Sequence, residues 1–350
     1  MMAAGGLPPG SWEAPVFSII IPTRNRGPSL RVILDGLLAQ RTDIAHEIIV
    51  VDNGSSDDTR RIVHSIAPRA QGGIRYVFEP TPGASMARNA GIRTARGEII
   101  AFLDDDVVVP PGWLEALRAA YRAFPDAWGI GGRIVLQLPE RLPPWFDPES
   151  ETLRGYLSGL DRGEGVIRLE HGAALWSANF SMTRHAFSRV GVFDVTLGRM
   201  GSLLLSGEDT ELCHRVHKAG GALYYCGQAV VTHPVPDARL TKQWLRNRAY
   251  WGGRTERRIW MHEEPPLAHL VRLAMAGVVG ARALWFYGTG NCRRGIKCEL
   301  AARAHLGHVQ EALGWGSPTR VERTRTEPPE PRMRRAPNTI LKIPTSWRRG

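Results

Sequence analysis

Four short, almost wholly apolar runs alternate with segments of helical spacing early in this chain, and that alternation admits few architectures. Val16 to Ile21 is β-branched and aromatic, and Pro22 is expected to stop it. Ser29 to Gln40 then carries Leu30, Ile33, Leu34, Leu37 and Leu38 at the spacing of a helix with one apolar face. Glu47 to Val51 is the second apolar run, followed by the turn Asp52-Asn53-Gly54-Ser55, and Asp57 to Ile66 reads as a helix with an acidic first turn. Ile74 to Phe78 and Ile99 to Leu103 are the third and fourth runs, with a helix over Ser85 to Ala95 between them. Short strands that are apolar on both faces and separated by helices predict an α/β fold, a mostly parallel sheet with helices on both sides. Ligands of such sheets bind at the carboxyl ends of the strands. The turns Pro22 to Arg26, Asp52 to Ser55 and Asp104 to Asp106 all follow strands, so they are expected to face one crevice.

The second half is less regular. Leu138 to Pro148 is Pro-rich and reads as a loop, Gly172 to Thr183 and Ala222 to His233 contain strand-like pieces, and Gly207 to Ala219 reads as a helix between them. Trp244 to Trp260 mixes Arg with Trp and Tyr and suits a helix at the rim of a site. Its tryptophans 244, 251 and 260 fit sugar stacking, core packing or membrane contact equally well. These features suggest a flexible start (1–14), a catalytic unit (15–240) with halves 15–110 and 111–240, a helical extension (241–313) and a disordered basic tail (314–350).

Net charge is +11, which raises nucleic acid or an anionic membrane as partners. Nine Lys/Arg against three Glu lie between Ser317 and Gly350, however, so much of the excess belongs to the tail and not to the body. Cys213, Cys226, Cys292 and Cys298 lack the spacing of a zinc site, and buried free thiols in a reducing, cytoplasmic setting are expected. Neither a signal peptide nor an uninterrupted apolar span is apparent. Leu267 to Tyr287 comes nearest but is broken by His269, Arg272 and Arg282, and reads as a buried or surface-lying amphipathic helix.

The chemistry concentrates at Asp104-Asp105-Asp106. Three successive carboxylates at the end of a buried strand repel one another and call for a cation. An acidic cap before Pro110-Pro111 is the competing reading. Carboxylates with an open coordination sphere suit Mg2+ or Mn2+. Asp52, at its own strand end, is placed to accept hydrogen bonds from a ribose hydroxyl or base N–H, or else caps an Asx-turn with Gly54. Gly83 permits close backbone approach, and Arg88 on the following helix reaches a phosphate or a base. Arg93 and Arg96 read as solvated. Glu208 and Asp209 open a helix, where acidic residues are favourable in any case.

In sequence order, Ile20-Ile21-Pro22-Thr23-Arg24-Asn25-Arg26, Val50 to Asp57, Gly83 to Asn89, Asp104-Asp105-Asp106 and Gly207-Glu208-Asp209 resemble the family 2 glycosyltransferases, inverting enzymes of the GT-A fold. The resemblance runs from about Val16 to His233. It implies a nucleotide-binding role for Asp52, with Pro22, Thr23 and Arg24 lining the base pocket and Arg88 serving the nucleotide. Arg24 stands where many members have Tyr, which leaves the base open among UDP, GDP and dTDP donors. By the same resemblance Asp106 ligates the metal, Asp104 contacts ribose or metal, Asp105 joins the nucleotide-sugar site or points away, and His233 binds metal or diphosphate. Asp209 is then the general base, Glu208 positions the acceptor, and Trp176 and Asn179 shape the acceptor side. The implied substrates are a nucleotide-diphosphate sugar and a hydroxyl acceptor, a lipid-linked one among the options, with peripheral membrane contact through the amphipathic segment and tail.

Two other readings compete. A nucleotidyltransferase would want a Gly-rich, basic loop after the first strand, where this chain has Pro22 to Arg26. A nucleic-acid-binding protein would suit the charge, but no binding motif accompanies it.

Overall fold

The computed structural model describes residues 16–314 apart from 71–72, 202, 261–264 and 266; the expectations for 1–14 and for the tail past Gly314 lie outside them. In chain order the elements are β1 (Phe17–Thr23), α1 (Gly27–Leu38), β2 (His46–Asp52), α2 (Thr59–Ile66), β3 (Ile74–Phe78), α3 (Ala84–Thr94), β4 (Ile99–Leu103), α4 (Trp113–Ala123) and β5 (Ala127–Gln137). There follow α5 (Glu151–Tyr156), β6 (Val166–Arg168), β7 (Asn179–Thr183), α6 (Arg184–Val190), α7 (Glu208–Lys218), β8 (Ala222–Pro234), α8 (Lys242–Trp260), α9 (Ala268–Gly288) and α10 (Cys292–Ala312).

The strands form one eight-stranded sheet in the order β3-β2-β1-β4-β7-β5-β8-β6. The four apolar runs of the first half make its parallel portion, with Ile19 opposite Ile48 on one side and Ala101 on the other. The second half adds mixed pairing: β7 runs antiparallel to both β4 and β5, β5 and β8 are parallel, and β6 is antiparallel to β8. The direction of chain progression reverses between β1 and β4, so their carboxyl ends flank a switch-point crevice.

Pro22 does not stop β1 as expected. Pairing with β4 ends at Ile20, opposite Phe102, so Pro22 is paired only with β2, and its missing N–H is tolerated on the side already open to the crevice. The main core lies on both faces of the sheet, from Phe17, Ile19, Ile20 and Ile21 through Phe102, Trp113 and Phe180 to Leu223 and Val231.

A second cluster, Phe146, Leu153, Leu157, Leu245, Ala249, Ile296 and Leu300, joins α5 to α8 and α10. The backbones of α8 and α10 touch: a Cβ on Gly253 would lie 1.7 Å from the Ala304 carbonyl oxygen, and one on Gly307 would lie 2.0 Å from that of Tyr250. α9 lies outside this pair with Leu284 75% and Trp285 64% exposed. Among the described residues it is the helix long and apolar enough to cross a membrane by length and composition. Of the four free cysteines, Cys213 and Cys226 are buried, whereas Cys292 is exposed, contrary to expectation, because it opens α10 at a surface turn.

Candidate active site

The crevice at the ends of β1 and β4 widens into a cavity of about 720 Å³. Pro22, Thr23, Arg24, Arg88, the three aspartates, Trp176, Glu208, Asp209 and His233 all line it. Asp104 to Asp106 begin immediately where β4 ends, so the turn delivers its carboxylates to the crevice floor.

The acidic turn is already offset by guanidinium groups. Arg88 Nη2 donates to Asp104 Oδ1 at 2.9 Å. Thr23 Oγ1 donates to Asp105 Oδ2 at 2.7 Å, so Asp105 does not point away. Arg26 Nη1 and Arg239 Nη2 donate to Asp106 Oδ2 at 2.7 and 3.2 Å. Burial pushes the Asp105 carboxyl up to about 7, against the pull of Arg26 and with help from the charge on Asp106. For Asp106 burial acts the same way, but His233, Arg26 and Arg239 outweigh it and hold the group well below the ordinary carboxylate range.

The expected metal set of Asp104, Asp106 and His233 is not assembled as a three-ligand cage. Among the described residues no three His, Cys, Asp or Glu side chains are grouped around one point. Asp104 is drawn toward Arg88, whereas Asp106 Oδ1 faces His233 Nε2 at 3.6 Å. One carboxylate beside one imidazole, with a second carboxylate in the same turn, still fits a divalent ion of the Mg2+ type. Such ions use one or two protein carboxylates and complete their shell with water and substrate phosphates.

The other wall is the start of α7. Gly207 turns into the helix at φ 88°. Glu208 is 5% exposed and accepts from Arg88 Nη1 at 2.8 Å, so one guanidinium ties the β4 turn to α7. Burial raises the Glu208 pKa; Arg88 opposes this, and the charges on Asp209 and Asp104 add to it. Asp209 is held differently. Its Oδ2 accepts the Ser177 N–H at 3.1 Å and its Oδ1 the Thr210 N–H at 2.7 Å, while the side chain remains half-buried at the cavity wall. It makes no ion pair among the described residues.

Two expected site residues lie elsewhere. Asp52 is buried, with Oδ1 accepting the Ser55 N–H at 2.8 Å and Oδ2 the Tyr76 hydroxyl at 2.7 Å, which is the turn-capping alternative. Its neighbour Asn53 lines the cavity instead and accepts the Gly83 N–H at 2.8 Å. Asn179 is spent inside the sheet: it accepts from Trp113 Nε1 at 2.9 Å and donates to the carbonyls of Arg133 and Ala229 at 3.0 and 2.7 Å. At 1% exposure, and held by these three bonds, it does not line the cavity. Trp260 reaches the cavity, whereas Trp244 packs against the second core.

Sequence reasoning assigned no role to Arg26, Arg199, Arg239 and Arg248, all of which line the cavity. Arg26 stood inside a quoted turn, and Arg248 in the helix placed at the rim. Arg199 lies in a loop and Arg239 ends a single 3-10 turn (Asp237–Arg239), with no signal of their own.

The family model for glycosyl transferase family 2 matches residues 18–173, from β1 to just short of β7. The glucosyl-dolichyl phosphate glucuronosyltransferase of Haloferax volcanii is 28% identical over 244 residues, 69% of this chain and 76% of that relative. The succinoglycan biosynthesis protein ExoM of Rhizobium meliloti is 30% identical over 273 residues, 76% of this chain and 82% of the relative. Among solved structures, the mannosyltransferase PcManGT from Pyrobaculum calidifontis, in complex with GDP-Man and Mn2+, superposes with a TM-score of 0.58 over 86% of this chain and 88% of that one. At 19% identity that is a likeness of fold.

Proposed function

The chain belongs to the family 2 glycosyltransferases and has their GT-A fold, and from that membership we propose an inverting, metal-dependent transfer of one sugar from a nucleoside-diphosphate donor to a hydroxyl acceptor. The observation that carries the proposal is the single cavity shared by the acidic turn after β4 and the carboxylates of α7, linked through Arg88. The donor diphosphate belongs at the Asp106–His233 side, with the nucleotide along Pro22, Thr23 and Arg24. Mg2+ or Mn2+ held there would supply a Lewis acid that offsets charge on the departing diphosphate. Arg26 and Arg239 keep Asp106 ionised and oriented.

Asp209 takes the proton of the acceptor hydroxyl. Of the three α7 carboxylates it alone is free of a guanidinium, Glu208 being paired with Arg88 and Glu211 with Arg215, and its orientation is fixed by the Ser177 N–H. One base acting on the incoming hydroxyl, with departure of the diphosphate from the opposite face, is a single displacement and inverts the anomeric centre. Such base catalysis contributes about 10²–10⁴-fold. Glu208, locked to Arg88, positions the acceptor side and is not the base.

A lipid-linked acceptor and peripheral contact with the cytoplasmic membrane face belong to the same proposal. They are supported by the name of the Haloferax volcanii relative and by α9, which exposes Leu270, Val271, Leu273, Val278, Leu284 and Trp285 and carries no acidic residue. An apolar face of this kind, with Arg282 at its edge and Arg293 and Arg294 just beyond, suits an anionic bilayer surface.

The test is thermal stabilisation by UDP, GDP or dTDP with Mn2+, followed by a screen of the matching nucleotide sugars for slow hydrolysis. One diphosphate should raise the melting temperature, and EDTA should abolish the effect. Stabilisation by DNA and by none of the three nucleotides would overturn the proposal.

A further inference from the structure

Arg199 and Arg248 are the cavity-lining cations that the transfer reaction leaves unused. Arg26 is paired with Asp105 and Asp106, Arg88 with Asp104 and Glu208, and Arg239 with Asp106. Arg199 and Arg248 line the same cavity, half-buried, and among the described residues neither is ion-paired. Arg248 donates from Nη1 to Ser206 Oγ at 3.1 Å, and its Nε is buried without a partner.

The two arginines come from different elements. Arg199 lies in the loop ahead of α7, where its carbonyl accepts the Ala84 N–H at 3.0 Å, and Arg248 lies in the middle of α8. Burial foremost, then repulsion from Arg248 and Arg239, lowers the Arg199 pKa to about 10, and burial lowers that of Arg248. Half-buried like charges without an ion pair at contact distance are costly, so their persistence in one cavity points to an anion that arrives with the substrate. Guanidinium forks match the oxygens of carboxylate and phosphate groups.

Their position argues against the donor diphosphate as that anion. The carboxylates acting on Arg199 are Asp104 and Glu208, and those acting on Arg248 are Glu208 and Asp209. Both arginines border the start of α7, Arg248 through Ser206 and Arg199 next to Gly198, whose Cβ would lie 3.4 Å from Glu208 Oε2, whereas Asp106 and His233 have Arg239 as their own cation.

Building on the transferase reading, we propose that Arg199 and Arg248 form an oxyanion subsite for a charged group other than the donor diphosphate. The group is either a carboxylate on the transferred sugar or a phosphate on the acceptor. Both put the same chemistry, a multiply oxygenated anion, at the α7 turn that carries Glu208 and Asp209.

Calorimetry in Mn2+ separates the two sources. The nucleoside diphosphate that stabilises the protein is first titrated alone, then its hexose and hexuronate are compared. Inorganic phosphate and geranyl phosphate are then added to the nucleoside diphosphate complex. Hexuronate binding at least tenfold tighter than hexose assigns the carboxylate on the sugar. Binding of geranyl phosphate to the complex assigns the phosphate on the acceptor, and binding of inorganic phosphate alone would still place the subsite but not its lipid source.

In each case Arg199→Gln and Arg248→Gln should lose the gain at least tenfold while keeping nucleoside diphosphate affinity, and Arg248→Lys should keep part of it. Indifference to every anion would overturn the proposal. So would weakened nucleoside diphosphate binding in the variants, because that would assign the arginines to the diphosphate. If no nucleoside diphosphate binds the wild type, the transferase reading itself falls.

Discussion

Replacing Arg88 by Met is expected to cost about 3–5 kcal/mol of stability, the range for removing one partner of a buried ion pair. Arg88 is 4% exposed and divides its guanidinium between Glu208 Oε1 and Asp104 Oδ1. The two carboxylates contribute unequally. The Asp104 side chain is 36% exposed and is rehydrated when the arginine leaves, so its share is about 0–1 kcal/mol. Glu208 is only 5% exposed and is rehydrated far less, and its second oxygen, Oε2, is already buried without a partner.

The loss should therefore be mostly the desolvation of one carboxylate, and it should depend on pH. The Glu208 pKa is raised by burial even with Arg88 present, and rises further without it. A carboxyl whose folded pKa exceeds the unfolded one loses stability as pH rises, so the penalty in Arg88→Met should be larger at pH 8 than at pH 5. The double variant Arg88→Met/Glu208→Gln leaves no buried charge and should recover at least about 2 kcal/mol relative to Arg88→Met. Urea unfolding followed by tryptophan fluorescence and far-ultraviolet circular dichroism measures all four corners of the cycle. A single-variant cost below about 1 kcal/mol, or strict additivity in the double variant, would refute the reasoning.

Three other outcomes follow from particular residues. In EDTA, Asp105 stabilises the protein fully below about pH 4, and this is lost as pH rises through about 7, on the order of 4 kcal/mol in all. Asp105→Asn should flatten that slope in urea titrations, and an unchanged slope would acquit the residue. Gly132→Ala should cost about 1–3 kcal/mol or more, because its Cβ would lie 2.0 Å from the Ala229 carbonyl oxygen and 2.2 Å from Asn179 Nδ2. A wild-type urea midpoint would contradict that close contact. Leu284→Glu/Trp285→Glu should release the protein from sedimenting vesicles rich in anionic lipid without altering stabilisation by nucleotide. Equal sedimentation would remove α9 from the membrane proposal.

The parallel half of the sheet was legible because its strands are short and mostly apolar: Ile74–Phe78, despite Arg75 on this edge strand, and Ile99–Leu103 match expectation residue for residue. The second half was harder to read. β5 contains three glycines, and β7 begins at a polar residue whose amide serves the sheet interior, so neither offers a clean periodic signal. For the site, residues at strand ends and helix starts were brought together as expected: Thr23, Arg88, Asp104 to Asp106, Glu208, Asp209 and His233.

Asp52 and Asn179 illustrate the limit of position alone. A strand end places a side chain near the crevice, but only the hydroxyl of Tyr76 and the indole of Trp113 decide that these two turn inward. The cavity arginines were missed for the opposite reason. Arg199 and Arg248 are distant in sequence, and only the packing of α8 beside the α7 turn makes them neighbours of one site.

The central claim is that Asp209 accepts the acceptor's proton while the β4 turn serves the donor. Asp209→Asn tests it most directly, with donor binding measured by calorimetry in Mn2+ and transfer measured as acceptor-dependent release of nucleoside diphosphate. The variant should bind donor within about twofold of wild type and lose transfer by about 10²–10⁴-fold. Wild-type turnover in Asp209→Asn would contradict the assignment.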